Sequence, residues 1–121
     1  MKVGFTGTQK GITQIQQLHL SKILVQLHSR GGNELHPGDC IGADAYSGML
    51  AKKLDYKIIL HPPINSNKRA WSDYDEARPV KEYLVRNHDI VDETNFLIAT
   101  PKGEIEEVRS GAWQQFGMQK G

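Results

Sequence analysis

Three stretches of this 121-residue chain carry residue types and spacings suited to holding an anionic, hydroxyl-rich ligand. The densest is His36-Pro37-Gly38-Asp39-Cys40-Ile41-Gly42-Ala43-Asp44. Gly38 and Gly42 let backbone approach another group closely, or take φ > 0, with no Cβ in the way. The amphipathic segment that follows, with Tyr46, Met49 and Leu50 on one face, makes this a strand, a turn and a helix start. The first amides of such a helix point outward unpaired, and its dipole favours an anion there, so a phosphate is the expected guest of Gly42, Ala43 and Asp44. Asp39 and Asp44 can cap the helix or take ribose hydroxyls, and each repels a phosphate that comes too near. Gly7, Thr8 and Gln9 repeat the strand-to-helix turn near the N-terminus, and Arg109, Ser110 and Gly111 offer a second anion cradle.

Other groups are weighed against plainer roles. A helix N-terminus would lower the pKa of Cys40, but a lone cysteine beside Ile41 is expected to be a small buried hydrophobe rather than a nucleophile. His36, His61 and His88, with Asp39 or Asp92, lack any H-x-x-x-H or Cys/His pairing, so no metal is expected. His61, at the end of a strand, is expected to contact ligand instead. Lys68 and Arg69 are either solvated or folded over the site to neutralise phosphate, Arg69 as a bidentate fork. Arg86 and Asn87 are read as stabilising a helix end. Trp71, Tyr74 and Trp113 are read as packing residues, although Trp71 could stack on a base.

These residues need a scaffold, and the pattern supplies one. Strands are expected at Lys2 to Phe5, around Leu35, at Lys57 to Leu60 and at Phe96 to Ala99. Thr13 and Gln16 have capping-box spacing, Leu20, Ile23, Leu24 and Leu27 recur on one helical face, and Gly31-Gly32 ends that helix. Further helices are expected from about Ala43 to Leu54, from Val80 to Val91 and from Arg109 onward. Ile64 to Pro79 reads as a long irregular loop. Alternating strands and helices imply an α/β Rossmann-like sandwich, a mostly parallel sheet of four to five strands in a single domain. Gly7, Gly38, Gly42, Pro62, Pro63, Pro101 and Gly103 all follow predicted strand ends. Ligands of open parallel sheets bind at that edge.

Composition excludes several classes. A formal charge of +1 gives no electrostatic case for a nucleic-acid or membrane-surface binder. No apolar run approaches the roughly 20 residues that span a bilayer. The single cysteine forms no internal disulfide, and the start runs straight into a strand without a signal peptide, so a cytoplasmic protein is expected.

Gly4-Phe5-Thr6-Gly7-Thr8-Gln9, Gly38-Asp39-Cys40-Ile41-Gly42-Ala43-Asp44 and Arg109-Ser110-Gly111-Ala112-Trp113 together resemble the SLOG superfamily. That Rossmann-like group includes the DNA-processing protein A domain and the lysine-decarboxylase-like phosphoribohydrolases. His61-Pro62-Pro63, Lys68-Arg69-Ala70, Arg86 to Asp92 and Ala99-Thr100-Pro101 resemble small single-domain members. The resemblance implies a nucleotide or nucleotide-derived ligand at the strand C-termini, with Thr100 among its contacts. The hydrolases of the group carry Pro-Gly-Gly-x-Gly-Thr-x-x-Glu. Here Ala112 stands in place of the threonine and Gln115 about where the glutamate belongs, and glutamine cannot exchange a proton. Glu106 and Glu107, just upstream, are the remaining candidates for that catalytic role. Relatives also continue into one more parallel strand. This chain has no apolar run left for it, which leaves an open sheet edge and a second subunit expected to cover it.

The expected function is therefore binding of a nucleotide or nucleotide-derived small molecule by a sensor or carrier with no cofactor. The alternatives are hydrolysis of a nucleoside 5′-monophosphate to base and ribose phosphate, and a DNA-processing accessory using Lys68, Arg69 and Lys102.

Overall fold

In a computed structural model, residues 1–7, 9 and 11–100 are described, together with the backbone of 106–109. The chain runs β1 (Lys2–Gly7), α1 (Gln14–Ser29), β2 (Glu34–Pro37), α2 (Ala43–Lys53), β3 (Lys57–Leu60), β4 (Glu76–Ala77), α3 (Tyr83–Glu93), β5 (Phe96–Thr100) and β6 (Glu106–Arg109). All four predicted strands and the first three predicted helices are present. The helix expected from Arg109 onward lies outside the described residues apart from Arg109, which ends β6.

Local chemistry sets the helix ends. Thr13 caps α1 with the reciprocal bonds of a capping box: Gln16 N donates to Thr13 Oγ1 (3.1 Å), and Thr13 N donates to Gln16 Oε1 (2.8 Å). At the other end Gly31 turns left-handed at φ 96°, and the amides of Gly32 and Gly31 return to the carbonyls of Leu27 and His28. This is a Schellman stop, and it needs glycine where φ is positive. The stripe Leu20, Leu24 and Leu27 faces the sheet and is buried.

The sheet order is β4-β3-β2-β1-β5-β6. The first five strands are parallel, and β6 runs antiparallel to β5. α1 and α2 cover one face, closing a core of Val3, Phe5, Leu35, Ile58, Leu60 and Ile98 with the Leu stripe of α1. α3 covers the other face so closely that a Cβ on Gly4 would fall 2.9 Å from both Ile90 and Thr94. This is a Rossmann-like α/β sandwich whose strand order reverses at β1, between β2 and β5.

Two strands were not predicted. β4 is drawn from the long loop and pairs Ile59 with Glu76 and Leu60 with Ala77. β6 pairs Phe96 with Arg109 through Ala99 with Glu106. It corrects the expectation of an open edge beside β5 and becomes the outer strand of the sheet in its place. An edge strand needs backbone groups rather than an apolar run, so Glu106-Glu107-Val108-Arg109 serves. Among the described residues no helix is long and apolar enough to cross a membrane.

Candidate functional site

The strand ends converge where the sheet order reverses. Gly7 and Thr100 are register partners at the ends of β1 and β5. A Cβ on Gly7 would lie 2.5 Å from both Ala43 Cβ and Thr100 Oγ1, so only glycine lets strand, helix start and threonine close together. A cleft of about 420 Å³ is walled by Gln9, Cys40 and Pro63, which follow β1, β2 and β3, and by Lys68, Glu82 and Tyr83. A slightly larger groove of about 460 Å³, between Met49 of α2 and Asp73, lies on the outer side of that helix. It touches none of the strand ends, so its volume alone does not recommend it.

Beneath the cleft lies a buried polar floor. Arg86 NH1 donates to Gly38 O at 2.7 Å and lies 3.5 Å from Cys40 Sγ, while its guanidinium sits 5.1 Å over the ring of Tyr83. Asp44 Oδ2 accepts from the amide of Cys40 at 3.2 Å. Gly38 is indispensable here, because a Cβ would fall 1.9 Å from Arg86 NH1 and 2.9 Å from Asp44 Oδ2. Burial pushes the Asp44 carboxyl up to about 7, although the Arg86 charge and the Cys40 amide pull it down. Burial and the Asp44 charge raise the Cys40 thiol, so the cysteine is a buried small group without thiolate character. Among the described residues four buried side-chain atoms have no hydrogen-bond partner: Asp44 Oδ1 and Arg86 Nε in this floor, Asn87 Oδ1 next to Arg86 on α3, and Thr100 Oγ1 beside Gly7.

α2 begins without a side-chain cap. Gly42 at its N-cap has φ 92° and offers no side chain to cap the first amides. Ala43 and Asp44 are buried directly behind it.

Asp39 is engaged by partners within the chain. Wholly buried and left-handed at φ 52°, it accepts from Arg69 Nε (2.8 Å) and Ser72 N (3.1 Å), and its carbonyl accepts from Ala70 N (2.8 Å). The loop after β3 is thereby strapped across Cys40. Arg69 is neutralised by Asp39 and stacks 4.0 Å over Trp71, while Lys68 stays exposed at the rim of the cleft. Gln9 is exposed at the opposite rim. Thr8, Ser110 and Gly111 lie outside the described residues, as does Lys102. Of Arg109, Glu106 and Glu107 only the backbone is described. Glu106 pairs with Ala99, one position from Thr100.

His61 is buried on the α3 side of the sheet. One ring nitrogen, Nε2, lies 2.8 Å from His36 Nδ1, while the other, Nδ1, faces Glu93 Oε2 at 3.8 Å. His36 Nε2 lies 3.0 Å from Glu34 Oε1. Burial lowers the pKa of both rings, that of His61 to about 4. Burial raises Glu34 and Glu93, but their hydrogen bonds to His36 and Arg78 together with the charges around them outweigh it and hold both carboxylates below the usual range. His88 is exposed and apart from this row.

Arg86, Asn87 and His36 were not expected in any site. Their signal was present: Arg86 and Asn87 stand four positions before Ile90 and Val91, so they occupy the buried face of α3. A cation and an amide on a core-facing stripe are expensive unless they hold something. Comparison of the chain with known protein families, characterised proteins and solved structures finds no match.

Proposed function

We propose that the crevice between the ends of β1 and β5 binds a nucleotide or nucleotide-derived small molecule, and that the protein is a sensor or carrier of the SLOG type. The observation that carries this reading is the set of four unpartnered buried polar atoms, two of which, Asp44 Oδ1 and Arg86 Nε, belong to side chains that meet Cys40 in the cleft wall. Each such atom costs about 1–3 kcal/mol when buried alone, and proteins keep them where a ligand or water completes the bonding. Arg86 Nε and Thr100 Oγ1 can donate, while Asp44 Oδ1 and Asn87 Oδ1 accept, a mixed set that suits ribose hydroxyls. The uncapped start of α2 suits the accompanying phosphate, with Lys68 at the rim as its counter-charge.

A thermal-shift screen with nucleoside monophosphates, cyclic nucleotides and ADP-ribose derivatives tests it. A ligand at a hundredfold excess over its Kd adds about 2.7 kcal/mol of stability. The shift should shrink in Thr100→Val, which removes one hydroxyl at constant volume, and vanish in Gly42→Val. Absence of any shift across the panel sinks the reading.

The pairing of Glu106 with Ala99 favours one second reading, cleavage of the N-glycosidic bond of a nucleoside 5′-monophosphate. Free base released by the wild type and lost in Glu106→Gln would select it. The DNA accessory reading is weakened by the engagement of Arg69 with Asp39.

A further inference from the structure

Glu34, His36, His61 and Glu93 form a row across β2, the end of β3 and α3, with three contacts between successive members. Two neutral imidazoles bring two N–H bonds, enough for the contacts at 2.8 and 3.0 Å. His61 Nδ1 and Glu93 Oε2 face each other at 3.8 Å, beyond hydrogen-bond distance, in a site where His36 and His61 are 0% and 1% exposed.

We propose that His36, His61 and Glu93 bind a divalent first-row transition metal ion. One ligand atom from each of the three lies within 4.8 Å of the others. Contraction onto an ion at 2.0–2.2 Å needs side-chain movements of under about 1 Å. Two imidazoles and one carboxylate form a borderline-soft donor set, which selects zinc-like ions over magnesium or calcium. Glu34 Oε1 accepts from His36 Nε2–H at 3.0 Å, which leaves the Nδ1 lone pair free for the metal and raises its basicity. Arg78 occupies Glu93 Oε1 through Nε and NH2 at 2.9 and 2.7 Å and leaves Oε2 to face His61. Glu93 is half-buried, so solvent reaches the ion from its side and completes the coordination. The site lies on the α3 face of the sheet, apart from the cleft over Cys40, and does not depend on the proposed ligand.

The test is calorimetric titration of the chelator-treated full chain with Zn²⁺, with Co²⁺ absorption as a second probe of tetrahedral nitrogen ligation. Wild type should bind one ion per chain and melt at a higher temperature with it. Glu93→Gln and Glu34→Gln, both at partly exposed positions that keep the fold, should each weaken binding about tenfold or more. His88→Ala, which removes an exposed histidine, should leave it unchanged. Failure of wild type to bind Zn²⁺, unchanged affinity in either glutamine variant, or loss of binding in His88→Ala overturns the proposal.

Discussion

Arg69 and Asp39, thirty positions apart, meet through a 2.8 Å bond from Nε to Oδ2, and that bond fixes the loop after β3 across the strand ends. Asp39 is fully buried and also holds the amide of Ser72, so removing its charge strands a guanidinium and frees a backbone donor. Asp39→Ala should cost about 3–5 kcal/mol in urea unfolding. Asp39→Asn, which tolerates the left-handed backbone, should cost about 1–3 kcal/mol. Limited proteolysis should show new cleavage between residues 64 and 75 in both. Resistance there equal to wild type would mean that the loop is held by something else.

Asp44 titrates near 7 in the folded protein against 3.8 as its ordinary value. The folded state binds the extra proton between those limits. Its contribution to stability is therefore fully present below about pH 4 and is lost as pH rises through 7. The loss is on the order of 4 kcal/mol. Glu34 and Glu93, held low, act in the opposite sense at acid pH, so the clean observable is a difference. The stability gap between Asp44→Asn and wild type should grow in favour of the variant from pH 4 to pH 8. A gap that does not change with pH would refute a carboxyl buried in this way.

Glycines at Gly38, Gly7 and Gly48 should respond differently to one added methyl. Gly38→Ala drives a Cβ to 1.9 Å from Arg86 NH1, and Gly7→Ala drives one to 2.5 Å from Ala43 and Thr100. Both should lose about 1–3 kcal/mol by overpacking. Gly48, inside α2, has nothing within 4 Å of its missing Cβ. Gly48→Ala should gain about 0.5–1 kcal/mol. Thermal melts of the three variants decide the ordering.

Thr13→Ala should cost about 1 kcal/mol by removing the hydroxyl that accepts from Gln16 N in the α1 capping box. Thr13→Ser, which keeps the oxygen, should recover most of it. Equal loss in both would place the effect in the methyl group.

The elements readable from sequence were those fixed by near neighbours in the chain. The Thr13–Gln16 box, the Leu20-Leu24-Leu27 stripe and the Gly31-Gly32 stop define α1 without reference to anything else. β4 could not be read this way, because Glu76 and Ala77 become a strand only by lying against Ile59 and Leu60. The convergence of strand ends followed from alternation of strands and helices: Gly7, Ala43 and Thr100 meet at one point, and Asp44 lies beside Gly38. Asp39 with Arg69, and His36 with His61, depend on how loops fold back and how parallel neighbours align. No spacing along the chain encodes such pairs.

β1 lies at the centre of the sheet, and one of its two neighbours is β5. Asn95 donates its amide to Lys2 O, and its side chain accepts from Lys2 N, a separation of 93 residues. β1 therefore emerges from the ribosome well before β5 and waits for it before its second row of bonds can close. Folding of this chain is expected to be slow for its size, because the entropy of its longest closure is spent before the core rewards it. Until then β1 offers an unpaired edge, which makes the interval between synthesis of residues 7 and 100 the time of greatest exposure to misassembly.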